Sequence, residues 1–383
     1  MPEDVRRVYI PFERYDNLII IPITVNGGLE LKFILDTGVK YPMLTESALG
    51  NVLGMEYVRE IIIYGRGVND SISANVVKHV KLELTGGIKA DMYYSFLVLK
   101  EDYLEIKKNL GVEVYGVIGS DIFRDFVVDI DYEDNFITLI RPDTFRPKRR
   151  YSKIPILLSK GKPYMDITIQ DDNGIEVTQP MMVDTGASHS ILLDPSQDNI
   201  IMPDVSISSV IGRGLAGDIY GYLGRIDAIQ VDEFELCETI ATFPVSSASS
   251  SLAKRGSKYG TVGGEFLSRF HVVFDYSRGH MYLKKNKFYD KEFEHDMSGL
   301  FITAAGHEYN SYEVSSVRQD SPADQAGIMK GDVILSINGY TYEMLKLNGA
   351  HAMLRDRPGK KIVVRIERGE KTIKKQFRLE RFI

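Results

Sequence analysis

Asp36 and Asp184 each open an Asp-Thr-Gly triplet at the end of an apolar run, Phe33-Ile34-Leu35 before the first and Met181-Met182-Val183 before the second. Two carboxylates held about 3 Å apart cannot both ionise readily, so such a pair shares one proton. A pair of this kind can activate water: the ionised member takes a proton from it while the protonated member polarises a carbonyl. The neighbouring residues suit that duty. Gly38 and Gly186 permit a sharp turn just after a buried strand. The hydroxyls of Thr37 and Thr185 can hydrogen-bond across the two loops and fix the carboxylates.

The surroundings of the triplets repeat as well. Tyr115-Gly116-Val117-Ile118-Gly119 leads through Phe126, Val128, Asp131-Tyr132 and Leu139. Tyr259-Gly260-Thr261-Val262-Gly263 leads through Phe270, Val272, Asp275-Tyr276 and Leu283, at a constant offset of 144. Ile10-Pro11 and Ile154-Pro155 keep that offset, whereas the two aspartates lie 148 apart. The second copy therefore carries four extra residues upstream, and the turn-rich Asp171-Asp172-Asn173-Gly174 is well placed to be them. Gly65-Arg66-Gly67 matches Gly212-Arg213-Gly214 at offset 147. Two related lobes follow, residues 1–145 and 150–286, with Arg146-Pro147-Lys148-Arg149-Arg150 as a solvated linker.

The lobes read mainly as strands. Leu18 to Val25 is rich in β-branched residues and ends at the turn Asn26-Gly27-Gly28, and Tyr164 to Ile169 alternates. Helical signals are short: Asp121 to Phe126 and Glu265 to Phe270 each follow a glycine and carry an acidic residue in the first turn. The expected fold class is mainly β, two duplicated β-barrel lobes plus a small α+β domain.

A chain of 383 residues is long enough for two or three cores, and 44% hydrophobic with 26% charged residues is ordinary for a globular protein. A net charge of −6 gives no general attraction to nucleic acid. The single cysteine, Cys237, excludes an intrachain disulfide and is expected to be a small buried apolar residue. No apolar run approaches a membrane span. The sequence opens at Met1-Pro2-Glu3-Asp4 without an apolar leader. That reads as cytoplasmic, or as periplasmic or cell-envelope if an export signal has been removed.

The paired Asp-Thr-Gly loops, each followed by Val117-Ile118-Gly119 or Thr261-Val262-Gly263, resemble the aspartic protease superfamily over about residues 6–286. The short spacing from aspartate to glycine-rich hairpin, 29 residues in one lobe and 28 in the other, is similar to the compact retropepsin-like lobe, here as a tandem pair in one chain. The resemblance implies catalytic residues Asp36, Thr37, Gly38 and Asp184, Thr185, Gly186, acting on a peptide or protein substrate with neither a cofactor nor a metal. It further implies that Tyr64-Gly65-Arg66-Gly67 and Gly212-Arg213-Gly214 are tips of lids over the substrate, for which glycines are suited. Val39-Lys40 departs from the small or polar residues usual after the first triplet, and Lys40 is expected to point to solvent because burying an ammonium is costly.

Residues 298–383 have no counterpart in the repeat and form a separate domain. Val314 to Val317 reads as a strand, Ser321 to Ile328 as a capped short helix ending at Gly327, and Gly331 to Gly339 as turn, strand, turn. This string resembles a PDZ domain of the bacterial, circularly permuted type. The resemblance implies that Met344 to Leu354 walls a peptide groove. It also implies that Gly299-Leu300-Phe301-Ile302 is a carboxylate-binding loop for a C-terminal peptide ligand, beside a strand edge that accepts it. The leading expectation is an aspartic endopeptidase whose PDZ domain recruits or positions substrate. The alternative is a catalytically inactive peptide-binding protein that keeps both folds, to which Val39-Lys40 lends weight.

Overall fold

The computed structural model describes residues 5–64, 71–84, 88–171, 173–194, 201–214, 217–245, 260–306 and 308–383, with backbone alone for 88–93. The chain packs as two compact units, one made of Met1–Leu104 with Val114–Glu292, the other of Glu105–Glu113 with Phe293–Ile383. The first unit therefore holds both lobes. The second begins at Phe293 and also takes a nine-residue stretch from within the first lobe.

Each lobe is built on an eight-stranded sheet, and the two sheets have the same strand order. In the first lobe Leu18–Val25 is almost wholly buried and pairs antiparallel with Glu30–Leu35, with Ile20 opposite Ile34. Branched side chains on both faces suit a strand covered on both sides. Glu30–Leu35 runs parallel to Gly116–Ile118, placing Leu35 opposite Ile118. In the second lobe Glu176–Val183 runs parallel to Gly260–Val262 in the same way, with Val183 opposite Val262. These parallel contacts deliver both Asp-Thr-Gly loops from strand ends of like geometry.

The lobes share a third sheet of six strands, three from each. Its centre is the antiparallel pair Val127–Asp131 and Phe270–Asp275, with Val128 opposite Phe274 and Asp131 opposite His271. Behind it Phe123 meets Phe274 edge-on at 5.2 Å and stacks on Tyr276 at 5.6 Å. Large aromatic burial there ties the lobes into one core.

The second unit is a five-stranded antiparallel sheet in the order Leu300–Ala305, Ser311–Val317, Val333–Ile337, Lys361–Arg368, Lys371–Arg378. Alternate residues Leu300, Ile302 and Ala304 face a core with Tyr312, Val314 and Leu354. Ser321 caps the short helix Pro322–Gln325, its hydroxyl accepting from Asp324 N–H. The longer helix Tyr342–Leu354 is broken at Lys346, whose φ is 53°.

One expectation is corrected. Cys237 is exposed on the strand Phe234–Pro244, not buried, because its position in the alternation faces solvent. Partial desolvation of the sulfur, together with the charges of Glu235, Glu238 and Asp227, pushes its thiol pKa up, away from thiolate reactivity. Lys40 is exposed, its ammonium 5.0 Å from the Tyr41 ring centre. Among the described residues no helix is long and apolar enough to cross a membrane.

Candidate active site

The two Asp-Thr-Gly loops meet face to face in the first unit. Thr37 and Thr185 are fully buried and bond reciprocally. The Thr37 hydroxyl donates to Val183 C=O at 2.6 Å and accepts from Thr185 N–H at 3.1 Å. The Thr185 hydroxyl donates to Leu35 C=O at 2.8 Å and accepts from Thr37 N–H at 3.0 Å. Each threonine thus ties its own loop to the strand end that carries the other aspartate.

The carboxylates stand on these braces. Asp36 N–H donates to Ile118 C=O at 2.8 Å and Asp184 N–H to Val262 C=O at 2.8 Å, which anchors both backbones on the inner strands. Gly38 N–H donates to Asp36 Oδ1 at 2.5 Å, and Gly186 N–H to Asp184 Oδ1 at 3.0 Å. The glycines also make room across the pair. A Cβ on Gly186 would overlap the carboxyl carbon of Asp36, and one on Gly38 would lie 3.2 Å from each carboxyl oxygen of Asp184. Gly119 is needed for a similar reason, since a Cβ there would run into the Asp36 carbonyl.

Asp36 shares a side-chain hydrogen bond with Asp184, and its pKa is raised well above the carboxylate range. Burial is the largest cause, followed by the Asp184 charge and that shared bond; Gly38 N–H and the Lys162 charge oppose it. Both aspartates keep a partly exposed edge, so protein encloses the pair without sealing it from solvent. The raised Asp36 pKa favours a state in which the pair holds one proton.

Of the hairpins expected as lids, Tyr64 ends the strand Tyr57–Tyr64 and is 55% exposed, while Gly65, Arg66 and Gly67 lie outside the described residues. Gly212, Arg213 and Gly214 end the strand Ser206–Gly214, which pairs with Gly217–Val231. Arg213 holds Asp218 at 2.8 Å and donates to Tyr103 C=O of the first lobe at 3.2 Å. Ile62, Val210 and Tyr220 are exposed on these hairpins, offering apolar surface.

Sequence reasoning missed Tyr276. Its hydroxyl is buried, and burial with the charges of Asp36 and Asp184 raises its pKa well above the phenol value. The repeated Asp131-Tyr132 and Asp275-Tyr276 pairs were the available signal. Tyr276 lines a pocket of about 540 Å³ with Lys40, Tyr41, Ser120, Arg124 and Lys160.

Gly299, Leu300, Phe301 and Ile302 lie in the second unit, apart in sequence from the aspartates. Gly299 N–H already donates to Asp296 Oδ1 at 2.6 Å, and Leu300 N–H to the Ser298 hydroxyl at 3.0 Å. An acidic group of the chain itself therefore sits at the loop.

Residues 300–379 match the family model described as PDZ domain, so this part of the chain is a PDZ domain. A Drosophila melanogaster protein, "Retrovirus-related Pol polyprotein from transposon 412", is 23% identical over 278 residues, 71% of this chain and 20% of that protein. A "Probable CtpA-like serine protease" of Staphylococcus saprophyticus is 32% identical over 82 residues, 21% of this chain and 17% of that protein. The chain thus spans about a fifth of the length of the curated relatives it matches. Among solved structures, soybean basic 7S globulin aligns with 76% of this chain and 97% of its own at 10% identity and a TM-score of 0.43.

Proposed function

We propose that the chain is an aspartic endopeptidase in which Asp36 and Asp184 activate water against a peptide bond, with the PDZ domain as a second peptide-binding module. The observation that carries this reading is the hydrogen bond the two aspartates share across the braced loops, where burial and the Asp184 charge raise the Asp36 pKa. Ionised Asp184 takes a proton from water as the water oxygen attacks the peptide carbonyl carbon. Asp36 donates its proton to the carbonyl oxygen, which gives a tetrahedral diol. Collapse of the diol re-forms the carbonyl, a proton passes to the amide nitrogen and the C–N bond breaks. Thr37 and Thr185 position the pair, and the hairpins ending at Tyr64 and Gly214 close over the substrate. The retrovirus-related relative along 71% of the chain is in keeping with a retropepsin-like reading of the lobes.

The test separates direct water attack from a covalent route. With peptide substrate in the presence of hydroxylamine, the dyad forms only carboxylic acid products. A serine-type acyl-enzyme would partition to the hydroxamate, and hydroxamate product would refute this reading.

A further inference from the structure

The stretch Glu105–Glu113 leaves the first lobe after its strand Ile88–Leu99 and rejoins it before Gly116–Ile118, yet it packs with the PDZ domain. It forms one helical turn, Ile106–Leu110, ended by Gly111 in the left-handed region at φ 67°. Ile106 and Leu110, four residues apart, lie on one face and are both buried. Lys107 is buried along its stem and pairs with Glu113 at 2.9 Å.

The turn lies against Leu300–Ala305, a strand that among the described residues pairs on one side, with Ser311–Val317. Gly111 sits between that strand and the helix Tyr342–Leu354. A Cβ on it would stand 2.9 Å from Leu347 Cβ, 3.1 Å from Tyr342 Oη and 3.5 Å from Ala304 Cβ. Tyr342 Oη donates to Gly111 C=O at 3.0 Å, fully buried. This strand and this helix are the walls between which the sequence resemblance places the peptide groove. Further along them, His351 Nε2 approaches Ile302 C=O at 3.4 Å, and the loop N–H groups are held by Asp296 and Ser298.

We propose that the occupant of this groove is the chain's own stretch Glu105–Gly111, and that the groove selects an internal apolar turn ending in glycine rather than a C-terminal carboxylate. The chemistry follows from the lining. Buried apolar side chains at i and i+4 belong to a turn packed on Leu300–Ala305, glycine alone fits between Ala304 and Leu347, and Tyr342 reads the carbonyl. A free carboxylate would meet Asp296 where it needs donors. A partner with the same pattern binds only by displacing the tethered turn, whose ends run directly into the strands of the first lobe.

The test uses the full chain and a fluorescent peptide of residues 103–113, acetylated and amidated. A tethered occupant at an effective concentration of about 1 mM lowers the apparent affinity of a ligand with an intrinsic Kd of about 100 μM by roughly tenfold. Gly111→Val in the chain removes the competitor, so the peptide is expected to bind this variant about tenfold tighter than the wild type. Ile106→Asp with Leu110→Asp leaves the PDZ walls untouched and reads the same effect if Gly111→Val does not fold. The same peptide carrying Val in place of its glycine is expected to lose binding. Equal peptide affinity for wild type and both variants would overturn the proposal. So would tenfold tighter binding of a peptide ending in a free carboxylate.

Discussion

Thr37 and Thr185 each donate a hydroxyl proton to the strand end beneath the other's aspartate and each accept the other's backbone N–H, at 2.6–3.1 Å. The symmetry of this exchange is the physical meaning of the duplicated triplet. Neither loop is complete alone, because each leaves a buried donor and a buried acceptor that only the other lobe satisfies.

Thr37→Val therefore strands the Thr185 N–H and the Val183 C=O. At about 1–3 kcal/mol for each unsatisfied buried group, the unfolding free energy should drop by roughly 2–5 kcal/mol in denaturant titration. Thr37→Ser keeps the hydroxyl and should stay within about 1 kcal/mol of wild type. A loss below about 1 kcal/mol in Thr37→Val would mean that these bonds do not stabilise the loop pair.

Much of this core was legible in the sequence. The constant offset of 144 between the lobes reappears as two sheets of one strand order, and Leu18 to Val25 forms a strand with those ends. The C-terminal helix, read from Met344, begins at Tyr342 behind the uncapping Thr341, and cap positions are weak local signals. Cys237 was misread because a lone cysteine tells nothing about which strand face it occupies. The membership of Glu105–Glu113 in the second unit was not legible. Ile106 and Leu110 show only that one face is buried, and which core buries it is a tertiary fact separated by some 200 residues of chain.

The glycines of the triplets differ in what they tolerate. A Cβ on Gly186 overlaps the Asp36 carboxyl carbon, whereas one on Gly38 is merely tight, 3.0 Å from Asp36 Oδ1. Gly186→Ala should thus displace the Asp36 carboxylate and lower kcat/KM by about 10²-fold or more, with Gly38→Ala less damaging. The reverse ranking in steady-state kinetics would contradict the cross-packing.

The raised pKa of Asp36 has a sign for stability. A carboxyl whose folded pKa exceeds its unfolded value, about 3.9, binds more protons when folded, so stability falls as pH rises from there through the folded pKa. Asp36→Asn removes that loss. The melting temperature of the variant relative to wild type should climb from pH 4 to pH 8; a flat difference would mean that Asp36 ionises without cost.

Activity should follow the same pair. Val39 and Ala187 offer no hydroxyl to a carboxylate, so the lower apparent pKa of the dyad lacks one cause of depression. Burial and the Asp184 charge raise the upper one. The window with one proton on the pair shifts upward, and kcat/KM should peak at mildly acidic to near-neutral pH. A maximum at strongly acidic pH would require another donor to the ionised carboxylate.

If Asp36 and Asp184 act as one unit, neither should retain function without the other. The most direct measurement is kcat/KM for peptide cleavage by wild type, Asp36→Asn, Asp184→Asn and the double variant, each checked to be folded. A loss of about 10³-fold or more is expected in either single variant, with little further loss in the double, because a pair that shares one proton fails when either member is removed. Near wild-type turnover in either folded single variant would contradict it.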